Sequence, residues 1–503
     1  MPALARRLAD SLPLHLLLLV GLTFALAGTP VPAGNEEHYL AVLRRMWDPS
    51  FLAGDWTFST PLPDRWTFDA IFGALAQVLP LPVLGWGGRL ATWTLSLWAI
   101  LRIARRLAIP LPMAAAGVSL WLLLEQSLVG GEWMVAWFEA KAVAWVFLLH
   151  ALDATMGGRW TRAGAFAGLA ATFHPAVGVV GGGSLAIAVL AVHRPWRDLL
   201  RPALAGLACG LPGIVQAGLM VLGSEPSTTG DWRFLSTSFL RIHMDASTFD
   251  RGLLAALALS IAFTVAWCRR MRDNPAFRIL AWLHLAPAAL FAAGLAAHAA
   301  GAWHWMTLTP YRLLPVISLL AFCLSLASLA SVAARQGTGY LAPLLAGGVL
   351  LCLPALPAQV RNVATRVGTA WRATDDSYGE AFDWIAANVP PGRIGLVPPW
   401  RGDAALRSLH GQVVHCAMPR YDRLSEWHDR VESLLGDVTD SETRDLGLPW
   451  KKAKDAWVAL SRERILELAR RYGASYLVSE ATHAFPLAFQ AGPVKVYFVD
   501  PLP

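Results

Sequence analysis

Leu12–Ala27, LPLHLLLLVGLTFALA, followed by Gly34–Tyr39, GNEEHY, is the stretch that decides the fold. The first part is an uncharged apolar run, close to the roughly 20 residues a helix needs to cross the hydrocarbon core of a bilayer. The second opens a polar loop that carries Glu36, Glu37, Asp48, Asp55, Asp64 and Asp69, interleaved with Trp47, Trp56 and Trp66. Beyond it the chain becomes apolar again. Carboxylates with aromatic neighbours at a membrane surface suit chemistry on a polar group carried by a lipid, although a solvated loop has the same composition. Arg6 and Arg7 would fit the n-region of a cleaved signal peptide, but the long run and the loop after it favour an uncleaved anchor.

The 503 residues are 55% hydrophobic and 15% charged, which excludes an ordinary soluble domain. Apolar runs recur to about residue 356. The net charge of +7 does not point to nucleic acid, because the arginines gather in short loops between those runs. Arg6 and Arg7, Arg102 to Arg106, Arg159 and Arg162, Arg194 to Arg201, Arg269 to Arg278 and Arg335 mark one side as cytoplasmic. Spans are then expected near 11–29, 87–104, 111–128, 141–157, 162–177, 178–193, 199–222, 252–268, 277–297, 310–331 and 338–356, about eleven crossings. The amino terminus falls inside and the tail outside. Pro175 interrupts one run next to His174, and Thr67 to Val83 reads as a helix lying on the outer surface. The cysteines (Cys209, Cys268, Cys323, Cys352 and Cys416) form no CxxC pair, and none is expected to form a disulfide in the tail.

From about Gln359 the chain gains charge. Ala381, Phe382, Trp384, Ile385 and Val389 have near-helical spacing, stopped by Pro390-Pro391-Gly392. Ile394 to Val397 reads as a strand, Arg462 to Tyr472 as a helix, and Ser475 to Ser479 and Val494 to Val499 as strands. The expected organisation is a transmembrane domain over 1–358, with a first outer loop at 30–86, and a small extracytoplasmic α/β domain over 359–503.

Several local sequences resemble the GT-C class of integral-membrane glycosyltransferases. They are Asn35-Glu36-Glu37-His38-Tyr39, Gly54-Asp55-Trp56, the surface helix Trp66 to Leu75, Arg89-Leu90 with Arg105-Arg106, Gly168 to Pro175, and Glu380 to Pro391. The resemblance extends to an uncharacterised bacterial branch that carries a domain of unknown function. It implies a polytopic α-helical fold and transfer of a sugar from a polyprenyl-phosphate donor to an acceptor glycan, lipid or protein on the outer face. Asn35 stands where that class usually has an aspartate, and His174 where it has a lysine.

Such transfer needs a carboxylate to take or orient the acceptor proton and a cation or donor to steady the leaving phosphate. Glu36 and Glu37 are candidates for the first role. At the start of a helix one would face inward and one outward, and the helix dipole alone would also favour acids there. Asp55 is a second candidate acid or the cap of a turn. Asn35, His38 and Tyr39 flank the pair as substrate-binding candidates. For the phosphate the candidates are Arg89, Lys141, His174 and Arg312. Glu139 is a local charge partner for Lys141, and snorkelling is an ordinary role for Arg312. His174, beside a proline, either contacts ligand or is a satisfied interior histidine. His298, His304, Trp303 and Trp305 gather on another outer loop without metal-ligand spacing, so no metal and no cofactor is expected. No P-loop, GxSxG or HExxH sequence appears, which leaves nucleotide-sugar and ATP chemistry unsupported. His410, His415 and Cys416 form no recognisable pattern.

Two other functions compete. A transporter or flippase for a lipid-linked glycan would need charges deep within spans, for which Asp153 and Glu125 are the candidates, and no repeat is visible. A non-catalytic assembly protein would keep the fold and lose the chemistry, and Asn35 is its support. The arginine- and alanine-rich composition suggests a bacterial inner membrane, with the tail in the periplasm.

Overall fold

The computed structural model describes residues 10–59, 65–123, 126, 129–192, 196–308, 310–311, 324–325, 376–416, 418–436 and 450–499. Arg312, Glu125 and most of the spans expected at 310–331 and 338–356 lie outside these residues. Along the chain run α1 (Leu12–Ala27), α2 (Glu36–Trp47), α3 (Trp66–Ala76), α4 (Leu81–Arg106), α5 (Leu111–Leu123), α6 (Ala140–Met156), α7 (Trp160–Phe173), α8 (Pro175–Val192), α9 (Leu200–Gly223), α10 (Thr229–Phe234), α11 (Arg241–Met244), α12 (Arg251–Arg270) and α13 (Pro275–Ala299). The tail adds α14 (Ser377–Asn388), β1 (Ile394–Leu396), α15 (Ala404–Ser408), β2 (Gly411–Gln412), α16 (Leu424–Leu435), α17 (Trp450–Val458), α18 (Arg462–Tyr472), β3 (Ala474–Ser479), β4 (Leu487–Ala491) and β5 (Val494–Phe498).

Two compact units emerge. One comprises Met1–Thr29, Trp86–Val215 and Ile242–Trp371; the other Pro30–Gly85, Gln216–Arg241 and Arg372–Pro503. The segment Pro30–Gly85 therefore groups with the tail, though hundreds of residues separate them in sequence.

The first unit is helical. Among the described residues four helices, Pro175–Val192, Arg197–Gly223, Arg251–Arg270 and Pro275–Ala299, are long and apolar enough to cross a membrane. The span expected at 87–104 belongs to a longer helix, α4, that starts at Leu81. Helices α4 and α6 run in the same direction. Near their starts Gly88 lies so close to Phe138 that a Cβ would sit 2.2 Å from its ring, and Trp93 Nε1 donates to the Ala136 carbonyl at 2.9 Å. At their far ends Arg102 and Arg106 both meet Asp153. Helix α7 has 14 residues, about 21 Å of rise, which is short of the ~30 Å hydrocarbon core. It turns back at His174, whose extended backbone (φ −150°, ψ 98°) separates it from α8. Gly178 then packs on Ala170 and Ala171. Helix α9 lies along α7 through a seam of small residues. A Cβ on Gly164 would reach the Pro202 carbonyl oxygen at 2.0 Å, and one on Gly168 the Gly206 carbonyl oxygen at 2.1 Å. Thr172 Oγ1 donates to the Cys209 carbonyl at 2.6 Å. Such close backbone approach is how helices associate where lipid supplies no hydrophobic drive.

The second unit has a five-stranded sheet ordered β2-β1-β3-β5-β4. The β1–β2 and β1–β3 pairs are parallel; β3–β5 and β5–β4 are antiparallel. Side chains of β3 alternate between two cores. Tyr476 and Val478 join Ala381, Phe382 and Ile385 of α14 on one face. Leu477 joins Trp427 and Val431 of α16, Trp457 of α17 and Ile465 and Leu468 of α18 on the other. Phe234 and Leu235 complete this second core from the middle segment of the chain. The expected α/β organisation of the tail is present. Two short strands, β2 and β4, and the helices α15 to α17 extend what the sequence pattern led one to expect. Helices α2 and α3 pack with Gly73 against the Leu43 carbonyl and the Trp47 ring, and Trp47 Nε1 donates to the Ala70 carbonyl at 2.9 Å. The outer helix expected over Thr67 to Val83 is thus the shorter α3.

Candidate functional site

The acid pair opens α2, with Asn35 at its N-cap position and no side-chain cap bond from it. Glu36 is fully buried, and its Oε2 accepts from the Ala33 amide at 3.3 Å. Glu37 is half-buried beneath the turn at Gly402, where a Cβ would sit 2.5 Å from its Oε2 and 2.6 Å from His38 Cε1. One carboxylate thus points into the protein and its neighbour towards the tail, as the start of a helix requires. Burial, reinforced by the charge of Asp403, pushes the Glu37 carboxyl up to about 7, with Arg401 opposing and Asp376 and Glu36 adding to the rise. Arg401 is held by both oxygens of Asp403 (2.8 and 2.6 Å) and by Asp376 (3.1 Å). Its positive charge is therefore largely matched before it can lower Glu37.

His38 is buried, and burial first, then the proximity of His415, pushes it down to about 3. It stays neutral at any physiological pH. Its Nδ1 is buried without a hydrogen-bond partner. The His38 and His415 rings meet edge to face at 5.7 Å. Tyr39 lies under the Arg65 guanidinium at 4.2 Å.

Asp55 is buried as the centre of a fastening. Its Oδ1 accepts from the amides of Thr57 (2.8 Å) and Phe58 (3.3 Å), and its Oδ2 from the Gln412 amide of β2 (2.8 Å). His415 Nε2 lies 3.3 Å from the same Oδ2. Gly54, at φ +88°, supplies a backbone that side-chain-bearing residues avoid, and that conformation delivers Asp55 into the loop. Trp56 is gripped next. Arg420 and Arg430 stand over its ring at 5.0 and 4.4 Å, and Arg420 Nη1 donates to its carbonyl at 2.8 Å. The Gly54-Asp55-Trp56 sequence therefore ties the first loop to the tail. His415, which belonged to no pattern in the sequence, is the tail's contribution, and Gln412 goes with it.

In the helical unit, Arg89 is fully buried, donates from Nη1 to the Thr29 carbonyl at 2.5 Å and stands 4.9 Å over the Trp86 ring. Lys141 is buried between Glu132 (2.7 Å) and Glu139 (3.3 Å). Glu139 is the local partner expected; Glu132 reaches Lys141 across a loop and was not foreseen. His174 is buried at the α7–α8 turn, where its Nδ1 accepts from the Val177 amide at 3.3 Å. Asp153 is paired with Arg102, Arg106 and Arg159. At the end of α13 His298 Nε2 meets Asp245 at 2.9 Å, with Trp303 at its edge. Among the described residues no cluster of three or more His, Cys, Asp or Glu is arranged to hold a metal ion. Arg312, the remaining candidate, lies outside them.

No family profile matches the sequence, and no curated protein does. Among solved structures the chain is similar to ArnT from Cupriavidus metallidurans bound to undecaprenyl phosphate. The TM-score is 0.50 at 14% identity, over 96% of this chain and 97% of that one. The chain has the GT-C fold. The Archaeoglobus fulgidus oligosaccharyltransferase, in a complex with zinc and sulfate, is a second similar structure (TM-score 0.47, 11% identity, 92% of this chain and 67% of that one). Identity this low speaks for the GT-C fold alone. The four long apolar helices have the length and composition to cross a membrane.

Proposed function

We propose that the protein is a membrane glycosyltransferase that moves a sugar from a polyprenyl-phosphate donor to an acceptor hydroxyl on the outer face of the membrane. Glu37 takes the acceptor proton as the new bond to the sugar's anomeric carbon forms. The bond from that carbon to the phosphate oxygen breaks, and polyprenyl phosphate leaves. The reading rests on Glu37 itself. It is a half-buried carboxylate at the start of the first-loop helix of a GT-C fold, and it can accept and return a proton near pH 7. Glu36 and Asp55, with oxygens already engaged, position that helix. Arg89 and His174 are the proposed donors to the phosphate, and Arg312 is a further candidate. The charge of Lys141 is already matched by two carboxylates, so it serves the fold of its loop.

The test is reconstitution of the purified full chain with a panel of polyprenyl-phosphate sugars, comparing wild type with Glu36→Gln and Glu37→Gln. Loss of turnover in Glu37→Gln with donor binding kept supports the transferase. Asn35, at the place where the class usually carries an aspartate, favours one specific rival, an assembly protein that binds the lipid without reacting. Donor binding without turnover in every form would establish that rival. Lipid flux across the vesicle without bond cleavage would instead establish a flippase.

A further inference from the structure

The end of the helical unit where α4 and α6 finish carries a basin that the transfer reaction does not use. Its volume is about 630 Å³, and its lining includes Arg159, Trp160, Arg162, Arg197, Asp198 and Arg201. Four guanidinium groups face one carboxylate. Arg159 gives Nη2 to Asp153 at 2.8 Å, but its Nε is buried without a partner. Among the described residues neither Arg162 nor Arg201 is paired with a carboxylate.

Arginines at a membrane edge need no special role, since they set topology. The glycine seam makes this set different. Helices α7 and α9 are parallel and both start here, and Gly164 against Pro202 brings their first turns into backbone contact. Two positive helix ends are therefore held side by side, and α7 starts with no side-chain cap. Long side chains on separate helices would splay into water and relieve their repulsion. Here the close backbones keep the exposed Arg162 and Arg201 near one another at the basin, where a single anion can bridge them and offset the charge.

We propose that this basin binds a phosphate group, held by Arg159, Arg162 and Arg201 and by the amino end of α7. The phosphate arrives either on an anionic phospholipid or on a small soluble phosphate compound. Guanidinium forks suit phosphate oxygens, and a polybasic surface at the membrane edge attracts both.

The test uses the full chain in nanodiscs of zwitterionic phosphatidylcholine. Phosphatidylglycerol is added in one arm and inorganic pyrophosphate in the other. Retained lipid is read by native mass spectrometry and pyrophosphate binding by calorimetry. The variant is Arg162→Gln/Arg201→Gln, and the control is Arg269→Gln/Arg270→Gln at the end of α12. Both variants must unfold at the wild-type temperature without ligand; if the double variant does not, Arg162→Lys/Arg201→Lys replaces it, which keeps charge and removes the fork. At least a tenfold loss of affinity for either probe in the basin variant, with the control unchanged, supports the proposal, and the arm that responds identifies the source. Equal affinity in wild type and basin variant, or an equal loss in the control, overturns it.

Discussion

Glu37 and His38 are adjacent in sequence and displaced in opposite directions by the same burial, because burial disfavours whichever form is charged. For Glu37 the folded chain holds a proton more tightly than the unfolded chain. Between about pH 4.5 and pH 7 the folded state therefore binds the extra proton, and stability falls as pH rises through that window. Glu37→Gln is expected to raise the unfolding temperature at pH 8 and to leave it unchanged at pH 4, as read by tryptophan fluorescence. The proposed catalysis has the opposite dependence, since a base must be deprotonated. Wild-type turnover should climb from pH 6 to pH 8 with a midpoint near 7, and Glu37→Gln should lose about 10²- to 10⁴-fold without that slope. His38 is pushed down, so its contribution to stability is complete above about pH 6.5 and is lost as pH falls towards 3. Asp55 concerns structure more than chemistry. Asp55→Ala strands three amides and His415 in a buried site and is expected to cost about 3–5 kcal/mol, read as a lowered unfolding temperature.

At the scale of elements, two close approaches decide whether the parts fit. Gly402 has no room for a Cβ beside Glu37 and His38. Gly402→Ala is expected to keep the fold, shift the pH midpoint of turnover and reduce its maximum, as a pH–rate profile would record. The α7–α9 seam tolerates less, because the obstacle there is backbone. Gly168→Leu is expected to lower the yield of folded protein after detergent extraction, at a cost of about 1–3 kcal/mol or more, whereas Gly183→Ala, with open space around it, should match wild type. The elements were legible to the extent that their periodicity was. Helix α2 was expected at the acid pair; α14 and α18, and the strands β1, β3 and β5, followed from apolar spacing and the breakers around them. The pair β2, two residues long, and β4, whose burial does not alternate, carry too little pattern to be read. The candidate site was legible only where it is local. Glu36 and Glu37 stand together in the sequence, but Asp55 meets Gln412 and His415 across 357 and 360 residues, a pairing that no spacing rule reveals.

For the whole molecule, the unit that holds the acid pair is built from three separate stretches of chain. Its larger core needs Phe234 and Leu235 from the middle stretch, and Trp56, Trp232 and Phe239 cover it from outside the tail. Polar closure is shared in the same way. Asp231 accepts from Ser425 (2.6 Å), meets His428 Nδ1 at 2.8 Å and closes a capping box with Thr228; burial opposes its charge, but these bonds prevail and lower it to about 2. Asp55 satisfies the amide of the edge strand β2. A tail of residues 372–503 produced alone would therefore keep its sheet sequence but lack several of the side chains that seal it. Exposed Trp427, and a β2 amide with no acceptor, would leave a collapsed chain without fixed packing. The expected result is strong binding of a hydrophobic dye and no cooperative thermal transition. A cooperative transition in the isolated tail would show that its core closes without the first loop and the middle segment. In that case the Gly54-Asp55-Trp56 fastening would serve only to place the acid pair. Under the proposed function, the same chain organisation accounts for the joint use of a loop at residue 36 and a domain near residue 400. The loop supplies the acids, and the folded tail supplies the burial that brings one of them into the range where it can exchange a proton.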